Sequence, residues 1–172
     1  RIGMPNELYE NDGFGNFVEI ARHVGLADTG ASRTAAWGDF DNDGVPELYV
    51  PRVNQANQLW RKTDSAMAAR ALFVRPVDVN GHTHAAATFG AVVFLSEAGK
   101  PTRVRTIDGG GGFGNQGRVA DVAFYVEDPA AAVDIEVRFP FKDGDGNQMI
   151  TQSTNVVPND LAADRAVVVQ PN

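Results

Sequence analysis

Four acidic residues crowd one short stretch, Asp39-Phe40-Asp41-Asn42-Asp43-Gly44-Val45-Pro46-Glu47. Carboxylates stand at its positions 1, 3, 5 and 9, and glycine at position 6. Hard cations such as Ca²⁺ take roughly six to eight oxygen ligands, and alternate acidic residues on a tightly curled loop supply them. Gly44 permits the sharp turn, and the carbonyl of Val45 at position 7 adds a backbone oxygen. Carboxylates this close repel one another without a cation. The spacing points to a Ca²⁺ site made by the side chains of Asp39, Asp41, Asp43 and Glu47 and the carbonyl of Val45. The plainer alternative is an acidic, solvated hairpin. Position 12 of the stretch is Val50, so the bidentate Glu of an EF-hand is missing.

Other stretches offer weaker chemistry. Gly109-Gly110-Gly111-Gly112-Phe113-Gly114 could suggest a phosphate loop, but it lacks the Gly-Lys-Ser/Thr ending. No helical pattern follows it to hold an anion at an N-terminus. It reads as a surface loop, with Phe113 available as a stacking platform for a sugar or a protein. Asp143-Gly144-Asp145-Gly146-Asn147 sets two carboxylates and an amide on a hairpin, a turn first and a second cation site after that. His82 and His84 would share one face of a strand, but the sequence identifies no third metal ligand beside them, and they read as loop histidines next to Asn80-Gly81. No G-x-S-x-G or comparable nucleophile setting occurs, and the chain reads as non-enzymatic. Trp37 and Trp60 read as core or packing residues.

The elements that must hold these groups are short. With 43% hydrophobic and 22% charged residues, the 172-residue chain has an ordinary globular mix, enough for one domain or two small ones. Eighteen glycines and nine prolines favour many short strands over long helices. The formal charge of −7, without a Lys/Arg run, argues against a nucleic-acid partner. Absence of cysteine removes disulfides, thiol catalysis and zinc-thiolate sites, and leaves the redox compartment open. The apolar runs, such as Ala91 to Leu95, are far short of a membrane span. The chain opens at Arg1 with no signal peptide, so we expect a mature product or part of a longer chain.

Asn6-Glu7-Leu8-Tyr9-Glu10-Asn11 echoes as Asn57-Gln58-Leu59-Trp60-Arg61-Lys62, a period that suggests a propeller or array. Asn11 to Asn16 reads as a hairpin turn. Phe17, Ile20 or Ala21, and Val24 fall at helical spacing, although Phe17 to Ile20 could equally begin as a strand. Arg33 to Phe40 and Glu47 to Val53 are expected strands on either side of the acidic loop. Thr63 to Arg70 reads as a short linking helix. Val133, Ile135, Val137 and Phe139 alternate with Asp134, Glu136 and Arg138, the pattern of a half-buried strand. Leu72 to Val79, Ala91 to Ser96, Arg103 to Thr106, Asp121 to Val126, Met149 to Val156 and Ala166 to Gln170 complete seven strands, which imply a sandwich or small barrel.

The order N-x-L-Y-x-N, G-x-G-x-F, G-L-A-D, A-W-G-D-F-D-N-D-G and N-x-L-W over residues 4–62 resembles one FG-GAP/VCBS repeat, a β-propeller blade with a calcium loop. That family usually closes its loop with Asp, where Glu47 stands here. Residues 71–170 resemble the ASPIC/UnbV domain. The features that carry this are Leu72-Phe73-Val74-Arg75, Ala87 to Val93, the loop Gly109 to Gly117, and Val133 to Pro140. Phe113-Gly114-Asn115-Gln116 replaces that family's usual aromatic-Leu-Ser-Gln stretch. The resemblances imply an all-β protein: a four-stranded propeller-type blade in residues 1–63 and a sandwich of about seven strands in residues 64–172. They imply an extracellular or cell-surface, calcium-binding structural or adhesion protein. Its partners would be other copies of itself or missing propeller blades, since a propeller needs about four to eight blades to close. The alternative is a carbohydrate- or ligand-binding module with a glycan or cell-surface protein as partner.

Overall fold

The computed structural model describes residues 3–41, 45–62, 65–78, 80–82, 88–107, 122–162 and 165–171. The chain is all-β, with several sheets, none of them closed. Every strand ladder among the described residues joins strands within 3–62 or within 65–171.

Five short strands occupy the first part: β1 (Tyr9–Asn11), β2 (Phe17–Glu19), β3 (Ala36–Gly38), β4 (Glu47–Val50) and β5 (Gln58–Trp60). The echoed Asn-x-Leu segments contribute to β1 and β5. β1 and β2 form a hairpin whose turn is held by Asp12, which accepts the backbone N–H groups of Phe14 and Asn16 at 2.8 and 3.1 Å. Phe17–Glu19 is thus a strand; the helical alternative is reduced to one turn, in which the Val24 N–H donates to the Ile20 carbonyl. β3, β4 and β5 form an antiparallel meander. A four-stranded blade is the expectation here. Among the described residues there is instead a three-stranded sheet and a separate two-stranded hairpin.

A single helical turn, α1 (Ser65–Ala68), stands where the longer linking helix is expected. A four-residue segment without a long apolar stripe has little to extend it. The seven expected strands follow: β6 (Ala71–Pro76), β7 (Val92–Glu97), β8 (Arg103–Thr106), β9 (Val122–Tyr125), β10 (Val133–Lys142), β11 (Gln148–Val156) and β12 (Ala166–Val169). They make one sheet in the order β11-β10-β7-β8 and another in the order β12-β6-β9, a layout compatible with a β-sandwich. Both sheets feed one buried cluster: Leu72, Val74, Phe124 and Val169 from one, and Val93, Leu95, Ile135, Val137 and Phe139 from the other. Period-two alternation dictates this, because residues two apart on a strand share a face.

Two features escape the alternation. β12 runs parallel to β6, so the chain crosses back rather than closing as a hairpin. The pairing of β10 with β11 also shifts register twice. At one shift Asn155 takes a positive φ of 56°, and its N–H is held by Asp134 at 2.9 Å. At the other lies Pro140, which has no N–H to give the ladder.

Replacing the fully buried Phe139 by Ala should cost about 3–5 kcal/mol. Val168, 59% exposed, should lose no more than about 0.5 kcal/mol on the same change. Urea unfolding of both variants checks this; equal costs would mean that the core is misplaced.

Candidate metal centre

β3 and β4 pair with Gly38 opposite Glu47, so the acidic stretch is the connection between two antiparallel strands. Its ends are drawn together by the Phe40 N–H, which donates to Glu47 Oε2 at 2.8 Å. Gly38 lets the chain close in this way: a Cβ there would stand 3.2 Å from the Phe40 ring. The buried Val45 side chain anchors the far side of the loop.

The structure brings three of the expected ligands together. Asp39, Asp41 and Glu47 each present a carboxylate oxygen within 4.8 Å of the other two. Glu47 is only 2% exposed, and its Oε1 is buried without a hydrogen-bond partner. A buried, unsatisfied carboxylate oxygen is costly, and a cation is the group that would relieve it. The donor set therefore fits a hard cation such as Ca²⁺. Asp43 and Gly44 lie outside the described residues.

Sequence spacing does not reveal Arg61. Its Nη2 pairs with Asp41 Oδ2, and its Nε lies 3.7 Å from Glu47 Oε1. The signal is non-local: the β4–β5 register sets Leu48 opposite Trp60 and Tyr49 opposite Leu59, and carried one step on it sets Glu47 opposite Arg61. Opposite charges facing across antiparallel strands attract. A second polar cluster is likewise non-local. Asp28 accepts from the Gly30 N–H at 2.6 Å, from Arg52 Nη1 at 3.1 Å and from Gln58 Nε2 at 3.1 Å. It ties the 28–32 segment to β5. These bonds, led by the Gly30 N–H, hold the Asp28 carboxyl below its ordinary pKa.

The remaining candidates resolve more simply. Asp143 Oδ1 accepts the N–H groups of Asp145 and Asn147 at 2.9 and 2.8 Å, and the Asn147 amide nitrogen faces Oδ2. That carboxylate closes its own turn. His82 caps a similar turn, its N–H donated to Asp78 at 2.8 Å and its Nδ1 3.3 Å from the same carboxylate. His84 and Phe113 lie outside the described residues. Trp37 is 53% exposed and is therefore no core residue of this chain. It flanks Leu48 in a cross-strand row that ends at Trp60. The row borders an apolar hollow of about 310 Å³ that also takes in Leu8, Leu26 and Val50.

Residues 3–50 match the family model of the FG-GAP-like repeat, which covers under a third of the chain and takes in the acidic loop. Such repeats often bind Ca²⁺ and are typical of extracellular proteins. Nothing in the comparisons supports an ASPIC/UnbV domain in residues 71–170. No curated protein matches the chain. Among the described residues, no helix is long and apolar enough to cross a membrane.

The Asp28 cluster gives a pH test. A carboxyl held below its unfolded pKa adds stability above that value, near 3.9, and loses it as pH falls through the lower folded pKa. Asp28→Asn should therefore melt below the wild type at neutral pH, and the gap should close below about pH 4. Thermal melts between neutral and acid pH test this; a gap that persists in acid would assign the loss to packing instead.

Proposed function

We propose that this is an extracellular, calcium-binding structural or adhesion protein without enzymatic activity. The reading gives residues 1–63 the role of a calcium-loop blade of propeller type and residues 64–172 that of an ASPIC/UnbV-like sandwich. The single observation that carries the calcium part is the convergence of Asp39, Asp41 and Glu47, with Glu47 Oε1 buried and unsatisfied. Asp43 and the Val45 carbonyl complete the ligand set by the spacing of the loop.

The structural or adhesive role rests on the surface of the first part. Trp37 and Leu59, 53% and 58% exposed, lie on opposite faces of the β3-β4-β5 sheet, because the cross-strand rows containing them alternate. An open sheet with large apolar groups on both faces favours a covering partner. In this reading other copies of the chain, or further blades of the same propeller, are the covering partner.

A second reading, a carbohydrate- or ligand-binding module, draws on the outer face of the sandwich. A polar hollow of about 330 Å³ there is lined by Phe94, Asp134, Glu136, Arg138 and Gln152, among others. Glu136 joins Gln152 at 2.8 Å and Arg138 at 2.6 Å, and the Arg138 guanidinium stacks 4.4 Å from the Phe94 ring centre. Oligosaccharide binding lost in Arg138→Ala would favour this module.

Two measurements test the main reading. With free calcium near 100 times its dissociation constant, binding to the native state alone should add about 2.7 kcal/mol, and Asp41→Ala should remove most of that gain. Melting temperatures equal in calcium and in chelator would refute it. Light scattering on the purified 172-residue chain in calcium should show ordered association; a stable monomer at micromolar concentration would remove self-assembly from the account.

A further inference from the structure

We propose that Arg61 is a tethered counter-ion of the acidic loop, which competes with calcium for the same carboxylates and so sets the affinity of the site. The inference rests on the calcium reading above and goes beyond it. The guanidinium pairs with Asp41 through Nη2 and turns its Nε towards the buried Glu47 Oε1 at 3.7 Å, so one cationic group serves two of the three converging carboxylates.

The geometry makes this contact replaceable. At 3.7 Å, Arg61 Nε lies beyond hydrogen-bond distance, and Oε1 keeps no bonded partner. The Arg61 side chain is 55% exposed, so water is at hand to solvate it once it leaves. The Arg61–Asp41 pair, with side chains 55% and 35% exposed, is of the weak, solvent-screened kind. A planar guanidinium also cannot draw several carboxylate oxygens into one shell at 2.3–2.6 Å, as a bound Ca²⁺ requires. Arg61 thus screens the mutual repulsion of the loop in the metal-free protein. It must swing out to solvent for the carboxylates to converge on an ion.

Calorimetric titration of CaCl₂ into chelator-stripped wild type, Arg61→Gln and Arg61→Lys tests the proposal. Arg61→Gln should bind calcium about fivefold more tightly or better, since the partly exposed ion pair with Asp41 no longer has to be broken. Arg61→Lys keeps the charge and should stay near the wild type. Metal-free Arg61→Gln should melt below metal-free wild type, while the calcium-loaded forms should melt together. The wild type itself gives a check that needs no variant: the Arg61 Nε–H resonance should move on calcium addition. Binding by Arg61→Gln alone would also support competition. If the wild type binds calcium but Arg61→Gln binds no more tightly, or the Arg61 signal stays still, the proposal falls and the calcium site stands. If neither protein binds calcium, both fall.

Discussion

Mutual repulsion among carboxylates is the constraint on which the first part of the chain turns. Asp39, Asp41 and Glu47 place oxygens within 4.8 Å of one another, and one of the three side chains is buried. Such an arrangement is unfavourable unless positive charge enters it. The local structure follows from that need. β3 and β4 hold the ends of the loop in register, the Phe40 N–H fixes one oxygen of Glu47, and Arg61, just past β5, brings a cation to the cluster. The meander is thus a frame that keeps acidic groups closer than they would settle by themselves.

The second part obeys a different rule. Its two sheets share an apolar cluster to which no described residue of 3–62 contributes. Burial of that cluster is a hydrophobic matter, indifferent to divalent ions. The exposed Trp37 and Leu59 set the first part apart again, because they are large apolar groups that its own small sheet cannot cover.

Much of this was legible in the sequence where the cause was local. Val133, Ile135, Val137 and Phe139 alternate because one face of β10 meets the core, and all four are buried. The 1, 3, 5, 9 spacing singled out the acidic stretch, and the structure brings three of its four carboxylates, Asp39, Asp41 and Glu47, within 4.8 Å of one another. What stayed hidden was non-local. Arg61 lies fourteen residues past Glu47 and meets it only through the β4–β5 register. The parallel pairing of β12 with β6 joins strands at opposite ends of the second part, where no turn chemistry fixes the partner. Asn155 gave no warning of its left-handed backbone, because the shift depends on where Asp134 stands on the neighbouring strand. The four-stranded blade implied by the resemblance to an FG-GAP/VCBS repeat is, among the described residues, a three-stranded sheet beside a hairpin, since the echoed Asn-x-Leu segments mark strands but not which strands pair.

The central claim is that these carboxylates form a calcium site. Its most direct test is a high-resolution crystal structure grown in millimolar calcium, with anomalous scattering used to locate the ion. The account predicts one calcium in the loop, with oxygens of Asp39, Asp41, Asp43, Glu47 and the Val45 carbonyl at about 2.3–2.6 Å and Arg61 turned out to solvent. A loop without an anomalous peak, in which Arg61 still pairs with Asp41, would contradict it.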